Sequence, residues 1–143
     1  VGQRLRLVEA GVLTPDRRAA LPDRLSHIHA RVAELVRRLS PAQLAVEDIF
    51  HAVNARTALV LGHVRGVVLL AGAQAGLPIS AFPPATVKLQ LTGNGRAEKA
   101  QVALMVAHHL GLRTDAPPGD AMDALAVAIC AAHQQLTVGL VPR

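Results

Sequence analysis

The chain has 143 residues, enough for one domain that buries about two thirds of its unfolded surface. Fifteen Lys and Arg stand against ten Asp and Glu, a formal charge of +5 that favours a polyanionic partner without distinguishing DNA, RNA, acidic protein or acidic lipid. Hydrophobic residues make up 51% of the chain and aromatics 1%, so the core has to be built from Leu, Val, Ala and Ile, and the single cysteine, Cys130, excludes an intrachain disulfide.

In chain order, VGQRLRLVEAG lacks a continuous apolar run, so no secretory signal is expected, and a reducing cytoplasm suits the lone thiol. Arg4, Leu5, Arg6 and Leu7 alternate with the period of a strand buried on one face, and RLRLVEAGVL (4–13) reads as a strand that TPDRRAALPD then breaks. From Leu25 onward Ile28, Val32, Leu35, Val36 and Leu39 recur at threes and fours, the spacing of an amphipathic helix. Its other faces carry Arg24, Arg31, Glu34, Arg37 and Arg38, read as solvated charge. His27 and His29 are two apart and point to different sides, which argues against a shared metal.

Leu44 to Val46 reads as a short buried strand running into Glu47 and Asp48. The greasy stretch 57–79 approaches membrane-spanning length but carries His63 and Arg65, so it is expected as a buried or interface helix from about Asn54 to Ala75. Ala58, Gly62 and Gly66 fall at steps of four, a small-residue stripe that lets another helix approach closely. Gly76 stops this helix, and LPISAF (77–82) follows as a strand with Phe82 in the core. Pro83 and Pro84 open a helix carrying Lys88, and TGNG (92–95) ends it. RAEKAQVALMVAHHLGL is the next helix, with Val102, Met105, Val106 and Leu110 inward and Gly111 closing it. DAPPGD leads into the last helix, and QQLTVGLVPR reads as a tail. Three strands alternating with helices imply an α/β fold with a largely parallel sheet, one domain over residues 1–134 and a tail over 135–143.

Asp120 and Asp123 head an otherwise apolar helix. Capping and the positive end of the helix dipole account for first-turn acids. A second reading joins them to Glu47, because ligands of open α/β sheets bind outside the carboxyl ends of the strands, and residues at i and i+3 share a helix face. Carboxylates gathered in this way repel one another unless cations lie between them; hard oxygen ligands match Mg²⁺, and no His/Cys spacing suggests zinc. Lys88, Lys99 and Arg96 would supply the positive charge a phosphodiester needs, although the Gly93-Asn94-Gly95 loop is by itself a weak phosphate signal. Phe50, in EDIFHAVNAR, either packs beneath a loop or stands exposed as a platform for a base, with polar His51, Asn54 and Arg56 following it.

Taken together, AVEDIFHAVNARTALVLGHVRGV, ATVKLQLTGNGRAEKAQVALMV and GDAMDALAVAICAAH resemble the RuvC-type Holliday junction resolvases, the crossover junction endodeoxyribonucleases, in order and spacing from about residue 4 to 134. An acid-x-x-Phe strand end, an AEK helix start and a D-x-x-D-A-L-A helix rarely coincide. The resemblance implies an RNase H-like fold, with a mixed central sheet flanked by helices, and Mg²⁺-dependent nicking of symmetric strands at four-way DNA junctions in recombination and repair. It makes Glu47, Asp120 and Asp123 metal ligands, with two Mg²⁺ per site and Mn²⁺ as a substitute, and brings Lys88 and Lys99 to the phosphate of the cleaved strand. Phe50 would push against bases at the junction centre. The helix over 54–75 would form a homodimer, and a branch-migration helicase complex of the RuvA/RuvB type would be a partner; no membrane is involved and the location is cytoplasmic.

The family's opening G-I-D-P-G strand, whose aspartate completes a four-acid site, has no match here; the acids before Glu34 are Glu9, Asp16 and Asp23. The N-terminal strands are therefore expected to be missing, and the 143 residues alone to be inactive and poorly stable. Two rivals share much of this pattern: an RNase H-like ribonuclease acting on structured RNA, and a catalytically dead junction-binding dimer.

Overall fold

The computed structural model describes residues 4–48, 53–113 and 116–139. They fall into two compact units, one over Leu13–Ala81 and the other over Phe82–Arg143 together with Val1–Val12.

In the Leu13–Ala81 unit, helix α1 (Leu21–Leu39) starts at Leu21 rather than at Leu25. Pro22 sits in the first turn, where a missing N–H breaks no helical bond, so the ALPD stretch opens the helix instead of interrupting it. Ser40 closes α1 in the left-handed region at φ 46°, its N–H donating to the Val36 carbonyl at 2.9 Å. Strand β1 (Leu44–Glu47) follows, then α2 (Ala55–Gln74) and β2 (Ile79–Phe82), whose last residue already belongs to the other unit. The Asn54 side chain caps α2 by accepting from Thr57 N–H at 2.9 Å. β1 and β2 pair in parallel, Leu44 N–H donating to the Pro78 carbonyl at 2.9 Å, and α2 is the crossover that parallel neighbours require.

The seat of α2 on this sheet is set by Gly72. A Cβ there would lie 2.5 Å from Leu44 Cδ2 and 3.3 Å from Ile79 Cδ1, so the absence of a side chain lets the helix backbone approach both strands. α1 packs along α2, and His29 Nε2 meets Gln74 Oε1 at 2.8 Å. Among the described residues of α2 only Ala71 and Gly72 are buried, while Ala58, Gly62 and Gly66, with Leu59, Leu61 and Leu70, are exposed. By length and composition α2 could cross a membrane. Arg65, in its middle, bonds instead to the end of β1.

In the other unit, α3 (Pro84–Thr92), α4 (Lys99–Leu110) and α5 (Gly119–Gly139) pack pairwise. Proline opens α3, and Gly93 at φ 76° and Gly111 at φ 65° close α3 and α4. α5 is buried on most sides through Ala121, Met122, Leu125, Ala126, Val127, Ile129, Cys130 and Ala131. Val87 and Leu91 of α3, Val102 and Val106 of α4, and Phe82 complete this core, as expected for an apolar set almost without aromatics. Met105 and Leu110 are half-buried rather than fully inward.

Two expectations need correction. Residues 4–13 form no strand, and among the described residues β1 and β2 are the only two, not three. The alternation is nevertheless real: Leu5 and Leu7 are half-buried and line a groove with Leu110, Leu125 and Ile129, while Arg4 and Arg6 are exposed. Alternation selects a side-chain face; a strand also needs a ladder with a neighbouring backbone, and among the described residues these form no strand. The second correction concerns the tail, since α5 continues through residues 134–139 before the described chain ends.

Candidate active site

α4 and α5 bring their first turns together. Lys99 is the first residue of α4, and its Nζ lies 2.8 Å from Asp123 Oδ2 on α5. The lysine passes over Gly119, where an added Cβ would sit 3.8 Å from Nζ and 3.9 Å from Cε. Proline 118 precedes α5, and its carbonyl accepts the first helical bond, from Met122 N–H at 3.0 Å. Neither aspartate caps this helix with its side chain among the described residues: no hydrogen bond joins Asp120 or Asp123 to a first-turn N–H. Asp120 is exposed, and Asp123 and Lys99 keep 42% and 66% of their side-chain surface in solvent. The carboxylates are thus presented outward, favoured by the helix dipole but not consumed in capping.

Two further basic residues of this unit, Lys88 and Arg96, precede α4 in sequence. Lys88 is half-buried on α3, and Arg96 is exposed in the loop before α4. That loop is built by turn chemistry. Asn94 Oδ1 accepts from Arg96 N–H at 3.0 Å, Asn94 N–H donates to Thr92 Oγ1 at 3.1 Å, and a Cβ at Gly95 would meet the Ala85 carbonyl at 3.4 Å. The two glycines therefore have backbone reasons of their own, a left-handed cap and a close approach.

In the Leu13–Ala81 unit, Glu47 is the last residue of β1 and is exposed. Arg65 of α2 reaches this strand end, donating from Nη2 to Asp48 Oδ1 at 2.5 Å and from Nε to the Glu47 carbonyl at 3.4 Å. Neither Arg65 nor Asp48 was picked out as functional from the sequence. The available signal was a cation inside an apolar helix together with a second acid directly after Glu47. Asn54 caps α2 through its Oδ1 and is itself exposed, and Arg56 is exposed in the first turn. Phe50 lies outside the described residues.

Asp120 and Asp123 suit a hard divalent cation: both are carboxylates, they stand three apart on one helix face, and a lysine ammonium already occupies a cation's place on Asp123. Among the described residues no three His, Cys, Asp or Glu side chains gather as a metal cluster. The pair therefore fits as part of a ligand set.

Residues 1–131 match the family model described as crossover junction endodeoxyribonuclease RuvC. The crossover junction endodeoxyribonuclease RuvC of Halorhodospira halophila is 47% identical over 134 residues, which cover 94% of this chain and 80% of that relative. Its counterpart from Koribacter versatilis is 43% identical over 135 residues, covering 94% and 81%. Among solved structures, Thermus thermophilus RuvC superposes with a TM-score of 0.85 at 38% identity, covering 94% of this chain and 81% of that one. The same protein in complex with its Holliday junction substrate gives a TM-score of 0.85 at 39% identity, with 90% and 78% covered.

Proposed function

The chain belongs to the RuvC family of crossover junction endodeoxyribonucleases, hydrolases of RNase H-like fold, and we propose that it resolves four-way DNA junctions by Mg²⁺-dependent symmetric phosphodiester hydrolysis. The observation that carries this reading is the outward-facing Asp120/Asp123 pair beside Lys99, in a chain that matches the family over residues 1–131.

In this reading residues 1–134 work as one nuclease domain. Asp120, Asp123 and Glu47 would hold divalent cations, two per site, with Mn²⁺ able to replace Mg²⁺, and these would supply an activated water and charge neutralisation at the leaving 3′-oxygen. Lys99, which lies against Asp123, would with Lys88 offset the negative charge that builds on the phosphate. Arg96, Asn54 and Arg56 contact the DNA backbone, and Phe50 stacks at the junction centre. The exposed apolar face of α2, with its Ala58/Gly62/Gly66 stripe, joins two copies into a homodimer suited to paired, symmetric cuts. The dimer acts in the cytoplasm, alongside a branch-migration helicase and away from any membrane, in recombination and repair.

Asp123→Asn tests the site. In a chain extended upstream by the family's opening strand, cleavage of a synthetic four-way junction should fall by at least about 100-fold while junction affinity stays within about twofold. Cutting at the wild-type rate removes Asp123 from the chemistry. Faster cutting of structured RNA than of four-way DNA by the wild-type protein points to the ribonuclease instead.

A further inference from the structure

We infer that Arg65 is a positioning residue for the reaction: from α2 it clamps the carboxyl end of β1 and so sets where the Glu47 carboxylate stands. The inference rests on the reading of Glu47 as a metal ligand.

Three observations carry it. First, the guanidinium uses two donors on one edge, Nη2 to Asp48 Oδ1 at 2.5 Å and Nε to the Glu47 carbonyl at 3.4 Å. One planar group thus holds both the backbone of Glu47 and the side chain of its neighbour. Second, Arg65 and Asp48 each leave only 28% of the side chain exposed, against 66% and 42% for Lys99 and Asp123, so this ion pair is the better shielded of the two. Third, Glu47 is the last residue of its strand, and α2 starts only at Ala55. The β1 ladder cannot hold a side chain at its last residue as firmly as one in its middle, and the Arg65 contact falls at that end.

An arginine is the side chain this task needs. Its fixed fork makes two directed bonds, whereas lysine is a point charge on a flexible stem that cannot reproduce both in one geometry. A ligand carboxylate displaced by about 1 Å loses much of its effect on a reaction that depends on alignment. Arg65 touches neither substrate nor ion in this account; it acts through Glu47.

The test compares Arg65→Lys, Asp48→Asn and Glu47→Gln in the chain extended upstream by the family's opening strand. The readouts are kcat on a synthetic four-way junction, junction affinity, thermal unfolding, and Mn²⁺ affinity by calorimetry without DNA. Arg65→Lys should lower kcat by roughly tenfold or more and weaken Mn²⁺ binding several-fold, within the range for residues that orient metal ligands. Junction affinity and melting temperature should stay near wild type. Asp48→Asn keeps an acceptor oxygen and the side-chain shape, so it should show a smaller loss of the same kind, and it carries the test if Arg65→Lys does not fold. Normal kcat and Mn²⁺ affinity in a folded Arg65→Lys or Asp48→Asn protein, with Glu47→Gln inactive, overturns the inference alone. Parallel losses of melting temperature, junction affinity and Mn²⁺ affinity mean a merely structural contact and overturn it too. Glu47→Gln cutting at the wild-type rate removes the metal-ligand reading of Glu47, and the inference with it.

Discussion

Lys99 and Asp123 form an ion pair with most of the lysine and nearly half of the aspartate in water, and exposed pairs of this kind contribute little to stability. The first turn of α5 is therefore not held in place by its charges. The apolar residues behind it do that, and Val106 and Cys130, both fully buried, mark how tightly α4 and α5 close. Burial also pushes the Cys130 thiol above its ordinary range, which leaves it protonated and unreactive. His109 is affected in the opposite sense. Burial first, then the neighbouring His133 and His108 rings, hold it below its usual 6.5, and the His109 and His133 ring centroids are 5.2 Å apart. Above pH 6.5 the ring is neutral whether the chain is folded or not; below it the unfolded chain takes up the proton first, so folding stability falls until the lower folded value is passed. Urea unfolding at pH 7.5 and at pH 5.5 should show this loss, and His109→Gln should reduce the difference between the two midpoints.

At the level of elements, α2 has two different faces along its length. Its C-terminal half rests on β1 and β2 through Gly72, where the space is already taken by Leu44 and Ile79. Gly72→Val should destabilise the protein by about 1–3 kcal/mol, the usual cost of forcing extra atoms into a packed contact, measured as a lowered urea midpoint at unchanged slope. The stretch from Ala55 to Gly66 is apolar yet largely exposed, with nothing within 4 Å of an added Cβ at Gly62 or Gly66. The N-terminal segment is the reverse case. Leu5 and Leu7 are half-buried on one side as in a strand, but among the described residues the segment is assigned to no strand.

The behaviour of the whole molecule turns on that open half of α2. An exposed apolar helix with a small-residue stripe is costly in water unless another surface covers it, and a second copy of the same stripe allows the backbones to come close. Gly66→Leu adds bulk where one copy has open space, so it should leave far-UV circular dichroism unchanged while shifting the sedimentation coefficient from dimer toward monomer at micromolar concentration. A variant that sediments as the wild type removes the stripe from the dimer contact. Arg65 stands next to Gly66 on the same helix, so the face read as the dimer contact and the clamp on β1 belong to one rigid element.

Much of this was legible in local sequence. The 3.6-residue periods, Pro84 at a helix start, and Gly93 and Gly111 at helix ends located α2 to α5 closely, because each signal acts within a turn or two of the residue that carries it. Asp120, Asp123 and Lys99 stood out by motif for the same reason. Three matters were settled only in three dimensions. Among the described residues the stretch 4–13 has the alternation of a strand but is not one, Asp123 near the head of α5 pairs with Lys99 while Asp120 stays exposed, and Arg65 grips the end of β1 across 17 positions of sequence. Each depends on what stands opposite a residue, and a linear pattern records which face a side chain takes but not which partner waits there.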